Sequence, residues 1–333
     1  MPHTPRKFSV LLAPLLLAGS LSSAAQSERW YQVELLIFSN PTGANSEQWE
    51  AMPDLAYPEP ARFLVNPGQI RDRVAEHRGP SELDSFGRLW LRAASEIGTG
   101  DSPAGNTGDT SDSGVTDQPA VSGAALAPTP FVTLPSAQGE FHGKTAYMER
   151  RGNYRILFHE TWVQPVREEQ DAIPLVIDRS GDSGDWPALQ GSVKIHISRY
   201  LHVETNLWLN TQGRYLPGDW RMPAPPLGPA SVIDETITEE ELEEPYFISP
   251  ESEAAIHATD GTGALAPEAE VDEAEAYPWR HAVLMQQKRR MRSNEVHYID
   301  HPLMGVIVRF TPVDASQLQA MAQAEQERGA LPD

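Results

Sequence analysis

Strand-like alternation in several separate runs, a small helical share and two long segments poor in large apolar residues predict an α+β fold. The expected architecture is an antiparallel or mixed sheet of about five strands with few helices, interrupted by two disordered low-complexity insertions. The chain then divides into a signal peptide at 1–25, an N-terminal part of the domain at 26–97 and a linker at 98–139. A central part at 140–222, an acidic Pro/Glu-rich insertion at 223–278 and a C-terminal part at 279–333 with a terminal helix complete it.

The leader comes first. Arg6 and Lys7 precede an apolar run over 8–21, and Ser22, Ser23, Ala24 and Ala25 follow it. This is the pattern of a secretory signal, and the run is shorter than the roughly 20 residues a bilayer crossing needs. The mature protein is therefore expected in the periplasm, with no transmembrane anchor. No cysteine is present, which excludes a thiol enzyme or a disulfide-stapled module and leaves any metal site to His and carboxylate ligands.

The strand runs follow in order. Residues 31–38 (YQVELLIF) put Val33, Leu35 and Ile37 on one face, and 154–163 (YRILFHETWV) is similar and stops at Pro165. The stretch 192–209 reads as one long strand. Ile195, Ile197, Leu201 and Val203 form its core side, and Lys194, His196, Ser198, Tyr200, His202 and Glu204 form a polar, aromatic side. Runs at 282–291 and 303–311, separated by His301-Pro302, complete the set. A short helix is expected at 144–151 and a longer one at 314–328 with Asp314 as its cap, and 81–97 reads as a further helical stretch.

Charge is unevenly placed. The chain carries a net −21, yet 231–277 holds fifteen acidic residues and no Lys or Arg, and 98–139 adds four acids without a base. The remainder is only mildly acidic. Such an acidic excess repels nucleic acid and anionic lipid. The locally positive segment is 279–310, with six bases and two acids, among them Lys288, Arg289, Arg290 and Arg292.

No nucleophile elbow, phosphate loop or fixed carboxylate pair is present, so catalysis is not expected. His297 and His301 are four residues apart, but Pro302 holds His301 extended and no third ligand accompanies them, so no metal or other cofactor is assigned. The candidate ligand-binding residues are Arg199, Tyr200, His202, Arg289, Arg290, Arg292, His297 and Tyr298. Guanidinium groups pair bidentately with carboxylates, and flat aromatic or imidazole rings face sugar rings. Peptidoglycan offers both features. In a strand, Arg289 and Arg290 point to opposite faces, so one of the two is expected to be free for ligand.

Four blocks in order, Trp30 to Glu34, His159 to Pro165, Ser198 to His202 and Arg289 to Gly305, resemble the CsiV family of periplasmic peptidoglycan-binding proteins. The resemblance implies a non-enzymatic accessory factor that binds peptidoglycan and supports a class A penicillin-binding protein together with its outer-membrane lipoprotein activator. A protein–protein scaffold without wall contact is the alternative, with a metal-dependent hydrolase last.

Overall fold

The computed structural model describes residues 28–40, 49–93, 127–178, 184–236 and 277–328. The signal-peptide expectation and most of the two low-complexity segments lie outside these residues.

The fold is α+β, and its strand inventory is larger than the sequence suggests. Among the described residues, eleven strands form three sheets. β1 (Arg29–Ser39) is flanked antiparallel by β4 (Arg155–Val166) and β11 (Met304–Val313), and β10 (Val296–Asp300) extends β11 at the edge. The second four-stranded sheet runs β5 (Leu175–Val176), β6 (Leu189–Ile197), β7 (Leu201–Thr211), β9 (His281–Met291). A small third sheet joins β2 (Ser81–Leu83), β3 (Leu89–Leu91) and β8 (Val232–Asp234).

Alternation builds the core. Val33, Leu35 and Ile37 of β1, with Val306, Val308 and Phe310 of β11, share one buried cluster with Val193, Ile195, Val203, Leu207 and Met285 of the second sheet. Both four-stranded sheets thus turn one face to a common interior, and the opposite faces carry the polar residues. Trp162 sits fully buried in this interior, and its indole N–H donates to Gln164 Oε1 at 2.8 Å.

Three α-helices lie against the strands among the described residues. α1 (Pro67–Glu76) is capped by the Asn66 side chain, which accepts from the Gly68 and Gln69 amides. α2 (Lys144–Gly152) ends where Asn153 takes a left-handed conformation, and α3 (Ala315–Glu327) begins with an Asp314–Gln317 capping box. The terminal helix and α2 fall where sequence placed them. α1 does not follow from apolar periodicity, because Ile70 alone is buried in it.

Four expectations are corrected. The stretch 192–209 is not one strand but the β6–β7 hairpin, turning at Ser198, Arg199 and Tyr200. Its face assignment survives the turn, because Ile195 pairs with Val203, Ile197 with Leu201 and Lys194 with Glu204 directly across the ladder. Residues 81–93 are extended instead of helical, since Leu89 and Leu91 fill a small core with Val65, Ile70 and Val132.

The other two corrections concern the boundaries of the low-complexity segments. Residues 127–139, placed in the linker, pack: Val132 is buried and the Thr133 amide donates to the Val65 carbonyl. Residues 223–236, placed in the acidic insertion, also belong to the fold. There β8 pairs parallel with β3, and the Pro225 carbonyl accepts from the Trp186 indole. A hydrophobicity reading misses such segments because they are held partly by backbone carbonyls, those of Pro225 and Pro226 among them. Among the described residues, no helix is long and apolar enough to cross a membrane.

Candidate functional site

The outer face of the second sheet carries the polar side chains of β6, β7 and β9. Its far end is closed. Trp208, Met222 and Ala282 are buried there under Leu55 and Tyr57. Gln190 is also buried and joins a polar network, donating to the Tyr57 hydroxyl while its Oε1 accepts from Asn210 and the Trp208 indole. The Tyr57 hydroxyl donates to Asp178 at 2.8 Å, and the Gly191 amide donates to the other Asp178 oxygen at 3.0 Å. Burial pushes the Asp178 carboxyl up to about 6, with both hydrogen bonds opposing the shift.

The hairpin end of the same face is open. Two cross-strand rows cross it, His196–His202–Arg290 and Lys194–Glu204–Lys288, set by the β6–β7 and β7–β9 registers. The imidazoles of His196 and His202 stack at 5.1 Å, nearly parallel. Burial, with the neighbouring His196 and Lys288, lowers the His202 pKa. Glu204 takes a hydrogen bond from His196 Nε2 at 3.0 Å and from the Lys288 ammonium at 2.6 Å. Burial works against its charge, but these two donors hold its carboxyl below the usual range.

Tyr200 projects from the hairpin turn with 43 % of its surface exposed. The Arg290 guanidinium lies 4.5 Å from its ring centroid and that of Arg199 lies 5.5 Å away. Neither guanidinium meets a carboxylate at ion-pairing distance among the described residues. Arg199, Tyr200, His202 and Arg290 therefore come together as one patch.

The other four candidates do not join it. Arg289 faces the opposite side from Arg290, as strand alternation requires, and donates to Gln287 at 3.0 Å. Arg292 approaches Glu295 at 3.6 Å, and His297 Nε2 accepts the Arg292 amide across the β9–β10 turn at 2.9 Å. Tyr298 belongs to the first sheet. Its ring lies parallel to Phe38 at 6.3 Å over Gly305, where any Cβ would collide with both rings. Burial and its hydrogen bond to Asp300 push the Tyr298 phenol up to about 12. His301 stacks on Trp49, accepts the Leu303 amide and is pushed down to about 4 by burial, so His297 and His301 each have a separate partner.

Sequence reasoning missed Glu169. It lies in the connection after β4 and donates no local pattern, yet its carboxylate accepts from Lys288 at 2.8 Å, 119 residues away. Glu169, His196 and Glu204 hold their ligand atoms within 4.8 Å of one another, making them the described group able to take a metal ion. A separate concavity of about 480 Å³ lies between α1, α3 and β4, lined by Arg71, His159, Glu160, Glu325 and Arg328 among others. None of the eight sequence-named candidates lines it.

Fold and face together define an α+β fold of sheets around a shared interior that presents an exposed, arginine-flanked aromatic ring. The chain belongs to the CsiV family, described as "Peptidoglycan-binding protein, CsiV", whose model matches residues 10–313. Neither a curated protein nor a solved structure matches the chain.

The family blocks have distinct structural places. Trp30 to Glu34 and His159 to Pro165 lie side by side on β1 and β4, where Glu34 is buried and accepts from His159 and from the Glu140 and Phe141 amides. Ser198 to His202 forms the open hairpin.

Proposed function

We propose that this protein binds peptidoglycan through the patch of Arg199, Tyr200, His202 and Arg290, without catalysing a reaction, in the periplasm. The observation that carries the reading is an exposed tyrosine ring flanked by two arginines that lack carboxylate partners among the described residues, in a chain of a family described as peptidoglycan-binding. Stem-peptide carboxylates would accept from the guanidinium groups, whose N–H edges stay available while their faces lie over the ring. Sugar rings would lie along Tyr200 and His202. An open face suits a long polymer, which an enclosed pocket would not admit.

In this reading the protein is an accessory factor that supports a class A penicillin-binding protein together with its outer-membrane lipoprotein activator. Purified protein-free sacculi test the wall contact. The protein is expected to pellet with them at low salt and to be released progressively as salt screens the charges. Retention in the supernatant at every salt concentration would leave a protein scaffold as the better description.

A further inference from the structure

The open face holds a second chemical feature beside the arginine patch. His196 is completely buried, and its Nε2 is committed to Glu204 at 3.0 Å. Among the described residues its Nδ1 has no hydrogen-bond partner, and neither has the buried Nδ1 of His202 stacked upon it. A buried ring nitrogen without a partner is costly to leave so, and it calls for a donor or an electron-pair acceptor. Glu169 Oε2 lies 3.9 Å from His196 Nδ1. That separation is too long for a hydrogen bond. It is near the spacing of two ligands on one ion, since bonds of roughly 2.0–2.2 Å place tetrahedral ligands about 3.4 Å apart.

We propose that Glu169, His196 and Glu204 form a site for a divalent transition-metal ion of the Zn²⁺ class. Imidazole with carboxylate is a donor set for such ions, whereas Mg²⁺ and Ca²⁺ take oxygen ligands. With Nε2–H bonded to Glu204, the Nδ1 electron pair is left toward Glu169. Lys288 holds the place of the cation meanwhile. Its ammonium lies 2.8 Å from Glu169 and 2.6 Å from Glu204, neutralising the two carboxylates. Its side chain is 47 % exposed, so it can swing into solvent when an ion arrives. Metal and ammonium therefore compete for the same carboxylates.

Metal-stripped, untagged full chain is titrated with zinc sulfate by calorimetry, with cobalt chloride as the spectroscopic probe. The expected result is one tight equivalent of Zn²⁺ and a visible Co²⁺ band of a nitrogen–oxygen site. Glu169→Gln, a change at an exposed side chain, should weaken Zn²⁺ binding about tenfold or more, and Lys288→Met should tighten it by removing the competing ammonium. His196→Ala should abolish the Co²⁺ band. Should that variant fail to fold by circular dichroism, Glu169→Gln and Lys288→Met alone decide. Absence of a tight equivalent, or equal uptake by parent and Glu169→Gln, would overturn the proposal, the latter placing the metal on other acidic groups. Sacculus binding is not part of this readout, so the metal site and the wall-binding patch stand or fall separately.

Discussion

Replacing Arg290 with alanine removes a guanidinium that faces the open end of the second sheet and has no carboxylate partner among the described residues. No ion pair among the described residues is broken, so the stability cost there is limited to the contact with Tyr200. An exposed cation–π contact is worth roughly 0.5–1 kcal/mol, which shifts the midpoint of a domain this size by only about 1–4 °C. The effect on ligand should be larger. A lost charge-assisted hydrogen bond to a carboxylate is worth on the order of 1.5–3 kcal/mol, or about ten- to a hundredfold in affinity. Pelleting with purified sacculi across a protein concentration series reads that change directly. Arg289→Ala is the internal comparison, because its side chain leaves on the opposite face and already bonds Gln287. The expected pattern is a large loss for Arg290→Ala, a small one for Arg289→Ala and unchanged circular dichroism for both. Equal pelleting of parent and a folded Arg290→Ala would refute the placement of the wall contact on this patch.

Three further outcomes follow from the same structure. Asp178 titrates at about 6 in the folded protein, above its unfolded value near 3.8, so the native state holds the proton more tightly and stability falls as pH rises from about 4 to about 6. The loss is on the order of 2–3 kcal/mol, and Asp178→Asn should flatten that part of a stability–pH profile measured by urea unfolding. Deleting 98–139 should lower the thermal midpoint, because it removes buried Val132 and the Thr133 contacts with Val65 and β4, whereas a deletion ending before 127 keeps them. Intact-mass measurement of the exported protein should place its first residue at Ala25 or Gln26, and recovery of the uncleaved chain would count against the leader reading.

The amino-acid sequence by itself determined the α+β class, the positions of β1, β4, β9, β11 and the two later helices, and which residues of the hairpin share a face. These follow from local rules, side-chain period and capping, that act within a few residues. It also carried the family blocks and the basic segment that supplies Arg290 to the candidate patch. Only the tertiary structure decided that 192–209 folds back on itself, since a polar turn at Ser198, Arg199 and Tyr200 keeps the strand period and so leaves no break in the pattern. Register then brought His202 beside Arg290 and separated Arg290 from Arg289, His297 and Tyr298. Glu169 reaches Lys288 and His196 because the connection after β4 runs along the end of β6, where the Ile197 amide donates to Arg167. Contacts of that kind join residues far apart in the chain, and no local pattern encodes them: their partners are set by how the two sheets close on their shared interior.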